Sequence, residues 1–302
     1  MYVPEHKRVE LSCDLLDYAC GPPDNQPLMV GSRKGFTVPQ SIYNEKVQPG
    51  VRVSAPPSQN RMLRQLLEHN AEVLLPQIRI VRLSFNDTIY EYGDSIDDVF
   101  FPLDSIVSSL AIMEDGTTIE ISMVGKESVA GLSALLGGSS SRHWTKMCIG
   151  GSLARLSTSA LERSFVSNEN ALKYIMRGYS SLITQVSQRA VCNARHTVLE
   201  RLSCWLLMIH DRVGGANLRL TQEAIASRLG ARRAGITVAA GTLQSIGAIE
   251  YRRGQLHIKD RLGLEQAVCE CYAVMKSDYE GTTSLTSTPP PTVEGIRLFR
   301  YK

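Results

Sequence analysis

The segment from Leu220 to Gln244, LTQEAIASRLGARRAGITVAAGTLQ, constrains the fold of this chain more than any other. Apolar residues recur at helical spacing on both sides of Gly230, and glycine tolerates the left-handed backbone at the end of a helix. Thr221 is a suitable N-cap for the first run, and Glu223 places a carboxylate in its first turn, where the helix dipole favours one. The pattern predicts two short helices joined by a tight turn.

The second of these helices begins with a polar and basic face. In a helix-turn-helix the N-terminal end of the second helix enters the DNA major groove, while the first helix braces it. We expect Arg233 to present a bidentate fork to guanine, and Arg232 or Thr237 to reach a phosphate or a base edge. Thr221 and Gln222, at the start of the first helix, complete the predicted DNA contacts on this side. The alternative is an ordinary helical hairpin whose basic face is solvated.

A basic β-hairpin follows the two helices directly. In AIEYRRGQLHIKD the apolar residues alternate on both sides of the Arg253-Gly254 pair, which is suited to the turn. A helix-turn-helix followed by such a hairpin predicts a winged helix. We expect Arg252 and Arg253 to contact DNA phosphates; a solubilising turn is the alternative.

These features together resemble the DNA-binding end of the Crp/Fnr-type bacterial transcription regulators. The LT-x-E/Q-x-IA-x-x-LG core and the arginine three residues after Gly230 carry the resemblance. It implies a homodimer that binds double-stranded DNA and contacts RNA polymerase. In better-known members an Arg, a Glu and a second Arg read bases. Arg233 matches the first Arg, whereas Ala234 and Val238 replace the other two, so the resemblance implies DNA binding but not the familiar operator.

The charge of the chain is distributed unevenly. Its 302 residues carry a formal net charge of +3. Residues 195–261 hold 11 Lys and Arg against 5 Asp and Glu, and the remainder holds 22 against 25. The positive charge is therefore concentrated in the predicted DNA-binding segment, as a nucleic-acid footprint requires.

The seven cysteines indicate no site by their spacing. There is no CxxC motif and no His/Cys spacing suited to zinc, and an odd count without a framework is typical of a reducing cytoplasm. Cys13 and Cys20 are too few for the N-terminal iron–sulfur cluster of some Fnr-like relatives. His143, and His196 near Cys192, have no second ligand at useful spacing, so we expect neither a metal nor haem.

Upstream of the winged helix the hydrophobic period changes. Arg61 to Leu74 has the pattern of an amphipathic helix, and from Ile78 to Leu156 the period becomes two, with frequent turns. Asp115-Gly116 is typical of a two-residue hairpin turn. Many short strands at this spacing predict a sandwich or jelly roll. The run VRLSFNDTIYEYGDSIDDVFFPLDSIVSS resembles the opening of a cyclic-nucleotide-binding-type jelly roll.

The resemblance also identifies where a nucleotide phosphate would bind. Gly131 fits the glycine of the family's phosphate cassette, and Arg142 falls where its arginine should be. Leu132 stands in place of the ribose-binding Glu, however, and His143 in place of the Ser or Thr. We therefore expect no cyclic nucleotide in the usual mode and no other cofactor. Leu132 and Leu135 either line an apolar pocket for a different ligand or fill the core of a scaffold.

The stretch 168–193 predicts a long helix between the two domains. Leu172, Ile175 and Met176 each begin a row of apolar residues with a period of seven. This stripe is wide enough to cover its own domain and a second copy of the chain, and the resemblance identifies it as a dimerisation helix. The alternative is a helix buried only on its own sandwich.

The predicted fold class is α+β. Its parts are a disordered N-terminal extension (1–60), a jelly-roll sensor domain (61–167), the dimerisation helix (168–193), a winged helix-turn-helix (194–276) and a disordered tail (277–302). No acid/base pair, nucleophile constellation or cofactor cradle is present, so we predict no catalytic residues and no enzyme. No stretch approaches the roughly 20 apolar residues of a membrane helix, and we expect a cytoplasmic protein. A regulatory module whose winged helix contacts protein is the rival to DNA binding.

Overall fold

The N-terminal domain is a β-sandwich, as predicted. In the computed structural model, which describes residues 57–165, 169–214 and 217–281, its strands pair antiparallel. The strands are β1 (Arg79–Leu83), β2 (Thr88–Tyr90), β3 (Asp98–Pro102), β4 (Ile106–Ile112), β5 (Thr118–Val124), β6 (Trp144–Ile149) and β7 (Gly151–Ser157). One sheet has the order β1-β7-β3 and the other β2-β6-β4-β5, which is the jelly-roll architecture expected from the sequence.

The β4–β5 hairpin turns where predicted but with a longer loop. Met113 N donates to Thr117 O at 2.8 Å, so Glu114, Asp115 and Gly116 form a three-residue loop rather than the two-residue turn predicted. Gly116 takes a φ of 82°, the left-handed conformation that such loops require at their glycine. A three-residue loop of this kind is as compatible with the twist of the two strands as a two-residue turn is. The Asp-Gly pair occurs in both, so it does not predict which loop length forms.

Helix α1 (Arg61–Leu74) has the predicted bounds and packs against the β1-β7-β3 sheet. Its N-cap, Asn60, is fully buried, accepts from Leu63 N at 2.9 Å and also donates to two backbone carbonyls of the sandwich. The folded domain therefore begins before the predicted boundary. Val73 is exposed because the non-helical backbone at Asn70 rotates the last turn of the helix.

Helix α2 (Thr158–Phe165) leads into helix α3 (Glu169–Arg195), which confirms the long helix and extends it past residue 193. Ser157, not the predicted capping box at Ser159, provides a side-chain oxygen for the start of α2. Of the three apolar rows on α3, the one that starts at Ile175 packs into the sandwich core. The other two rows are turned away from that core. We call them the exposed seam: Leu172, Met176, Tyr179, Ile183, Val186 and Ala190.

The C-terminal domain is a winged helix whose apolar side chains form one continuous core. Its elements are α4 (Val198–Val213), β8 (Asn217–Arg219), α5 (Gln222–Leu229), α6 (Arg233–Ser245), β9 (Ile249–Arg252), β10 (Gln255–Ile258), α7 (Arg261–Gln266) and α8 (Cys271–Gly281). Helix α4 begins later than the predicted His196, because Thr197 and Glu200 form a reciprocal capping box there.

The C-terminal end of the domain differs from the prediction. Helices α7 and α8 are separate, and Cys269 lies buried between them. The predicted tail from residue 277 is wrong at its start, since Tyr279 is buried within α8. Residues 1–56 and 282–302, where the extension and most of the tail were predicted, lie outside the described residues.

A buried ionic cluster joins the two domains. Glu120 of β5 is 1% exposed and lies 3.3 Å from Arg228 Nη1 on α5 and 3.1 Å from Arg189 Nη1 on α3. It also accepts hydrogen bonds from Trp205 Nε1 on α4, at 2.9 Å, and from Ser108 on β4. Glu120 alternates with Ile119 and Ile121 along β5 and is more buried than either, because the winged helix covers it.

Candidate nucleic-acid interface

The two helices of the helix-turn-helix start and stop where the sequence places them. Thr221 caps α5, since its hydroxyl accepts from Ala224 N at 3.1 Å. Gly230 ends α5 in the left-handed conformation with φ 56°. A Cβ at this position would lie 3.2 Å from Ile119 Cδ1 of the sandwich, so the glycine also permits a close approach of the turn to β5. Arg232 then takes the N-cap position of α6 without a side-chain cap of its own.

The solvent face of α6 carries the residues predicted to read DNA. Arg232, Arg233 and Thr237 are all exposed, while Ile236 and three further apolar residues of the helix are buried against the rest of the domain. Val238 is the most exposed large apolar residue of the described chain, with 71% of its surface accessible. The helix is therefore held by its apolar face and presents a face that is basic at its start and apolar beyond.

Helix α5 is linked to this face by a hydrogen bond between side chains. Thr237 Oγ1 donates to Gln222 Oε1 at 2.8 Å and lies 3.1 Å from the Arg233 carbonyl oxygen. Gln222 is half-buried, whereas Thr221 beside it is exposed. Of the predicted contacts, Thr221 already accepts a hydrogen bond as the cap of α5, and Gln222 accepts one that orients Thr237.

The wing is attached to the start of α5. Arg253 and Gly254 both have positive φ, 48° and 76°, which is the type I′ turn that suits a two-residue hairpin. Leu220 N donates to Gly254 O at 2.9 Å, and Tyr251 Oη donates to Leu220 O at 2.8 Å. Burial raises the pKa of Tyr251, so its hydroxyl remains a donor at neutral pH. Arg252 and Arg253 are exposed beside the helix-turn-helix.

Ion pairing divides the cations of this domain into two groups. Arg228 pairs with Glu120, Arg212 with Glu127 at 2.8 Å, and Arg261 with Asp211 at 2.7 Å, and the first two of these arginines are buried. These cations neutralise carboxylates within the fold and are not available to DNA. Among the described residues, no ion pair involves the exposed arginines of α6 and the wing: Arg232, Arg233, Arg252 and Arg253.

The Crp-like helix-turn-helix domain family matches residues 200–267. The chain is also 24% identical over 210 residues to the global nitrogen regulator of Nostoc sp. (strain PCC 7120), covering 67% of this chain and 94% of that protein. Residues 200–267 are therefore a Crp-like helix-turn-helix domain, and the chain is a DNA-binding transcription regulator. The surface described above belongs to this domain and carries the residues predicted to contact DNA.

Solved structures of Crp/Fnr-type regulators share the fold at low identity. FixK2 from Bradyrhizobium japonicum aligns with a TM-score of 0.55 at 18% identity, over 64% of this chain and 98% of that one. A Crp-family transcriptional regulator from Thermus thermophilus aligns with a TM-score of 0.53 at 19% identity, over 62% and 95%. These likenesses support the jelly roll followed by a winged helix. No helix of the described part is both long and apolar enough to cross a membrane.

The two residues predicted at a nucleotide phosphate lie in different surroundings. Gly131 has a φ of 92° and is closely surrounded, since a Cβ there would lie 2.7 Å from Tyr90 Oη. Arg142 is exposed on the loop before β6. Leu132 and Leu135 belong to the sandwich core, which favours the scaffold reading over an apolar ligand pocket.

Sequence reasoning missed one cluster of chemically reactive side chains. Cys192, His196, Cys269 and Cys271 place one potential ligand atom each within 4.8 Å of all the others. The expectation that His196 has no second ligand at useful spacing is therefore wrong. The Cys269-x-Cys271 pair and the four-residue spacing of Cys192 and His196 were the available signals, but neither is a recognised motif alone.

Proposed function

We propose that this regulator binds an operator as a homodimer, with α6 in the major groove and the wing over a flanking phosphate. The observation that carries the proposal is the continuous exposed surface on which Arg232, Arg233, Arg252 and Arg253 have no ion-pair partner among the described residues. Cations without an internal partner can release counterions from the DNA backbone, which supplies affinity in a salt-dependent way. We assign Arg232 and the two wing arginines to phosphates.

The face of α6 supports a specific kind of operator. Arg233, at the N-terminal end of the helix, suits the O6 and N7 acceptors of guanine. Ala234 and the strongly exposed Val238 follow it where polar base-reading residues stand in the better-known relatives. Small apolar side chains in the major groove contact the methyl group of thymine. We propose half-sites with a guanine opposite Arg233 and thymines opposite Ala234 and Val238.

The exposed seam on α3 supports the homodimer. Its six residues follow one another at alternating spacings of four and three, the heptad pattern of a coiled coil. Leu172, Met176, Tyr179 and Ile183 are each more than two-fifths exposed in the single chain, although Ile175 of the neighbouring row is fully buried. A second copy of α3 is the partner that covers such a seam by symmetry. Two recognition helices then address two half-sites.

Other aspects of the function follow from this assignment as proposals. The regulator acts on RNA polymerase at promoters in the cytoplasm, and it catalyses no reaction. The sandwich does not hold a cyclic nucleotide in the usual mode, because Leu132 replaces the ribose-binding Glu and is buried in the core. The signal that the regulator senses enters elsewhere.

The test is binding to duplexes selected by the purified protein from a random library. Arg233→Ala should reduce the preference for the selected duplex over a random one by about 10- to 100-fold, because a bidentate contact to guanine is worth about 1–3 kcal/mol. Arg253→Ala should weaken both duplexes equally and lower the salt slope by about one. Arg163→Ala, which alters an exposed arginine of the sandwich, serves as the control.

Two results would contradict these assignments. If Arg233→Ala loses the same affinity for the selected and the random duplex, Arg233 contacts a phosphate and not a base. If DNA binding by the unmodified protein does not weaken with salt, the proposed phosphate contacts are ruled out. That result would favour the rival in which the winged helix contacts another protein.

A further inference from the structure

Four potential metal ligands meet where α3 ends and α8 begins. Cys192 and His196 are separated by one helical turn, so their side chains lie on the same face. Cys269 and Cys271 flank Glu270, and Cys271 is the first residue of α8. The three thiols are buried and the imidazole is mostly buried, so solvent has little access to the centre of the group.

Two of the distances between the ligand atoms are close to those of one tetrahedral ion, and all four atoms lie within 4.8 Å of one another. Cys192 Sγ and Cys269 Sγ are 3.7 Å apart, and Cys271 Sγ and His196 Nδ1 are 3.4 Å apart. With Zn–S bonds of about 2.3 Å and Zn–N bonds of about 2.0–2.1 Å, tetrahedral geometry requires S···S of about 3.8 Å and S···N of about 3.6 Å. An iron–sulfur cluster distributes its thiolates over several iron atoms and needs a wider arrangement than four atoms all within 4.8 Å.

The surrounding groups are those that support a metal-bound thiolate and imidazole. His196 Nε2, on the far side of the ring from the thiols, lies 3.3 Å from Glu270 Oε2. This carboxylate–histidine contact fixes the tautomer in which Nδ1 is free to ligate. Gln188 Nε2 donates to Cys271 Sγ at 3.1 Å. Arg189 and Arg201 line the small cavity beside Cys192.

Ordinary core packing does not explain this arrangement. Free cysteines are common small apolar residues of cores, but an imidazole nitrogen directed at three sulfur atoms is not. A Cys192–Cys269 disulfide would leave Cys271 and the His196–Glu270 pair without a role. We propose that Cys192, His196, Cys269 and Cys271 form a structural Cys₃His zinc site that fixes α8 to the end of α3.

The experiment measures metal in the full-length protein. Protein purified with Zn²⁺ under reducing conditions should contain about one zinc per chain by elemental analysis, the stoichiometry of a single closed structural site. Removal of zinc and titration with Co²⁺ should give the visible absorption of tetrahedral Co²⁺ together with a thiolate-to-cobalt charge-transfer band. Cys269→Ser should abolish both signals, whereas Cys148→Ser, which alters a buried cysteine of β6 outside the group, should retain them.

A second variant covers the case in which Cys269→Ser does not fold. Glu270 is largely exposed and ligates nothing, so Glu270→Gln should leave the fold intact while weakening zinc binding by about 10- to 100-fold. Wild-type protein with no zinc and no cobalt–thiolate band would overturn the proposal. So would iron with inorganic sulfide in the purified chain, or a Cys192–Cys269 disulfide found by mass analysis without reduction.

Discussion

Removing the carboxylate of Glu120 tests whether the ionic cluster holds the two domains together. The Arg228 side chain is 5% exposed and the Arg189 side chain 12% exposed, and both depend on the fully buried Glu120 carboxylate for their counter-charge. In Glu120→Ala both guanidinium groups stay buried without it, and Trp205 Nε1 loses its acceptor. Breaking a buried pair by deleting one partner costs about 3–5 kcal/mol. We expect the free energy of unfolding to fall by that amount.

Trp205 provides the local readout. Trp144 and Trp205 are the two tryptophans of the chain, so the background variant Trp144→Phe leaves one fluorophore, and it lies within the cluster. Urea unfolding followed by fluorescence should show a lower midpoint in Glu120→Ala, ahead of the loss of circular dichroism from the sandwich, because the winged helix loses its anchor on β5. Glu120→Gln keeps an acceptor but removes the charge, so its urea midpoint should lie between those of Glu120→Ala and the background variant.

The control is Glu162→Ala on the exposed side of α2, which should change the free energy of unfolding by no more than about 0.5 kcal/mol. A loss below about 1 kcal/mol in Glu120→Ala would refute the reasoning, since it would mean that the two arginines find water or other acceptors at little cost. A single unchanged transition in both probes would show that β5 is not the anchor of the winged helix.

Two further predictions concern the dimer and pH. Ile183→Asp should convert the dimer to a monomer in sedimentation velocity, with dimer dissociation favoured by about 100-fold or more, because a carboxylate in an apolar seam loses its hydration. Ile246→Asp, a matched change at a similarly exposed isoleucine of the winged helix, should stay dimeric. A dimeric Ile183→Asp would rule out the exposed seam as the interface. Burial lowers the pKa of His210 below its ordinary value of 6.5, and the charge of Arg261 lowers it further, with Asp211 opposing in part. Arg261 Nη1 donates to His210 Nδ1 at 2.8 Å. Because the folded pKa lies below the unfolded one, protonation favours the unfolded state, so the free energy of unfolding should fall as pH drops through about 6.5, and His210→Gln should reduce that slope in unfolding measured at several pH values.

Local patterns predicted the elements that local rules govern. The cap at Thr221, the glycine at position 230 and the Arg253-Gly254 turn are each determined by residues within a few positions, and all three are found as predicted. The start of the folded domain depends instead on Asn60, whose partners lie across the sandwich, and the sequence places that domain boundary one residue late.

What the sequence could not predict depends on distant residues. Glu120 reads as an outward-facing residue of an alternating strand, but Arg228, 108 positions later, covers it. Cys192 and Cys269 are 77 positions apart and belong to no common motif. The charge surplus of residues 195–261 overstates the basic surface for the same reason, since only contacts in three dimensions show that Arg212 and Arg228 are neutralised internally.

The contact of α5 with the β4–β5 hairpin has a consequence for engineering. Thr118 meets Ser227 across this contact, and Glu120 meets Arg228. A chimera that exchanged the winged helix by cutting between the two domains, near residue 194, would separate these partners. Each domain would then have mismatched polar groups. The unit to transplant is the winged helix together with the β4–β5 hairpin that it contacts, even though that hairpin lies far upstream in the chain.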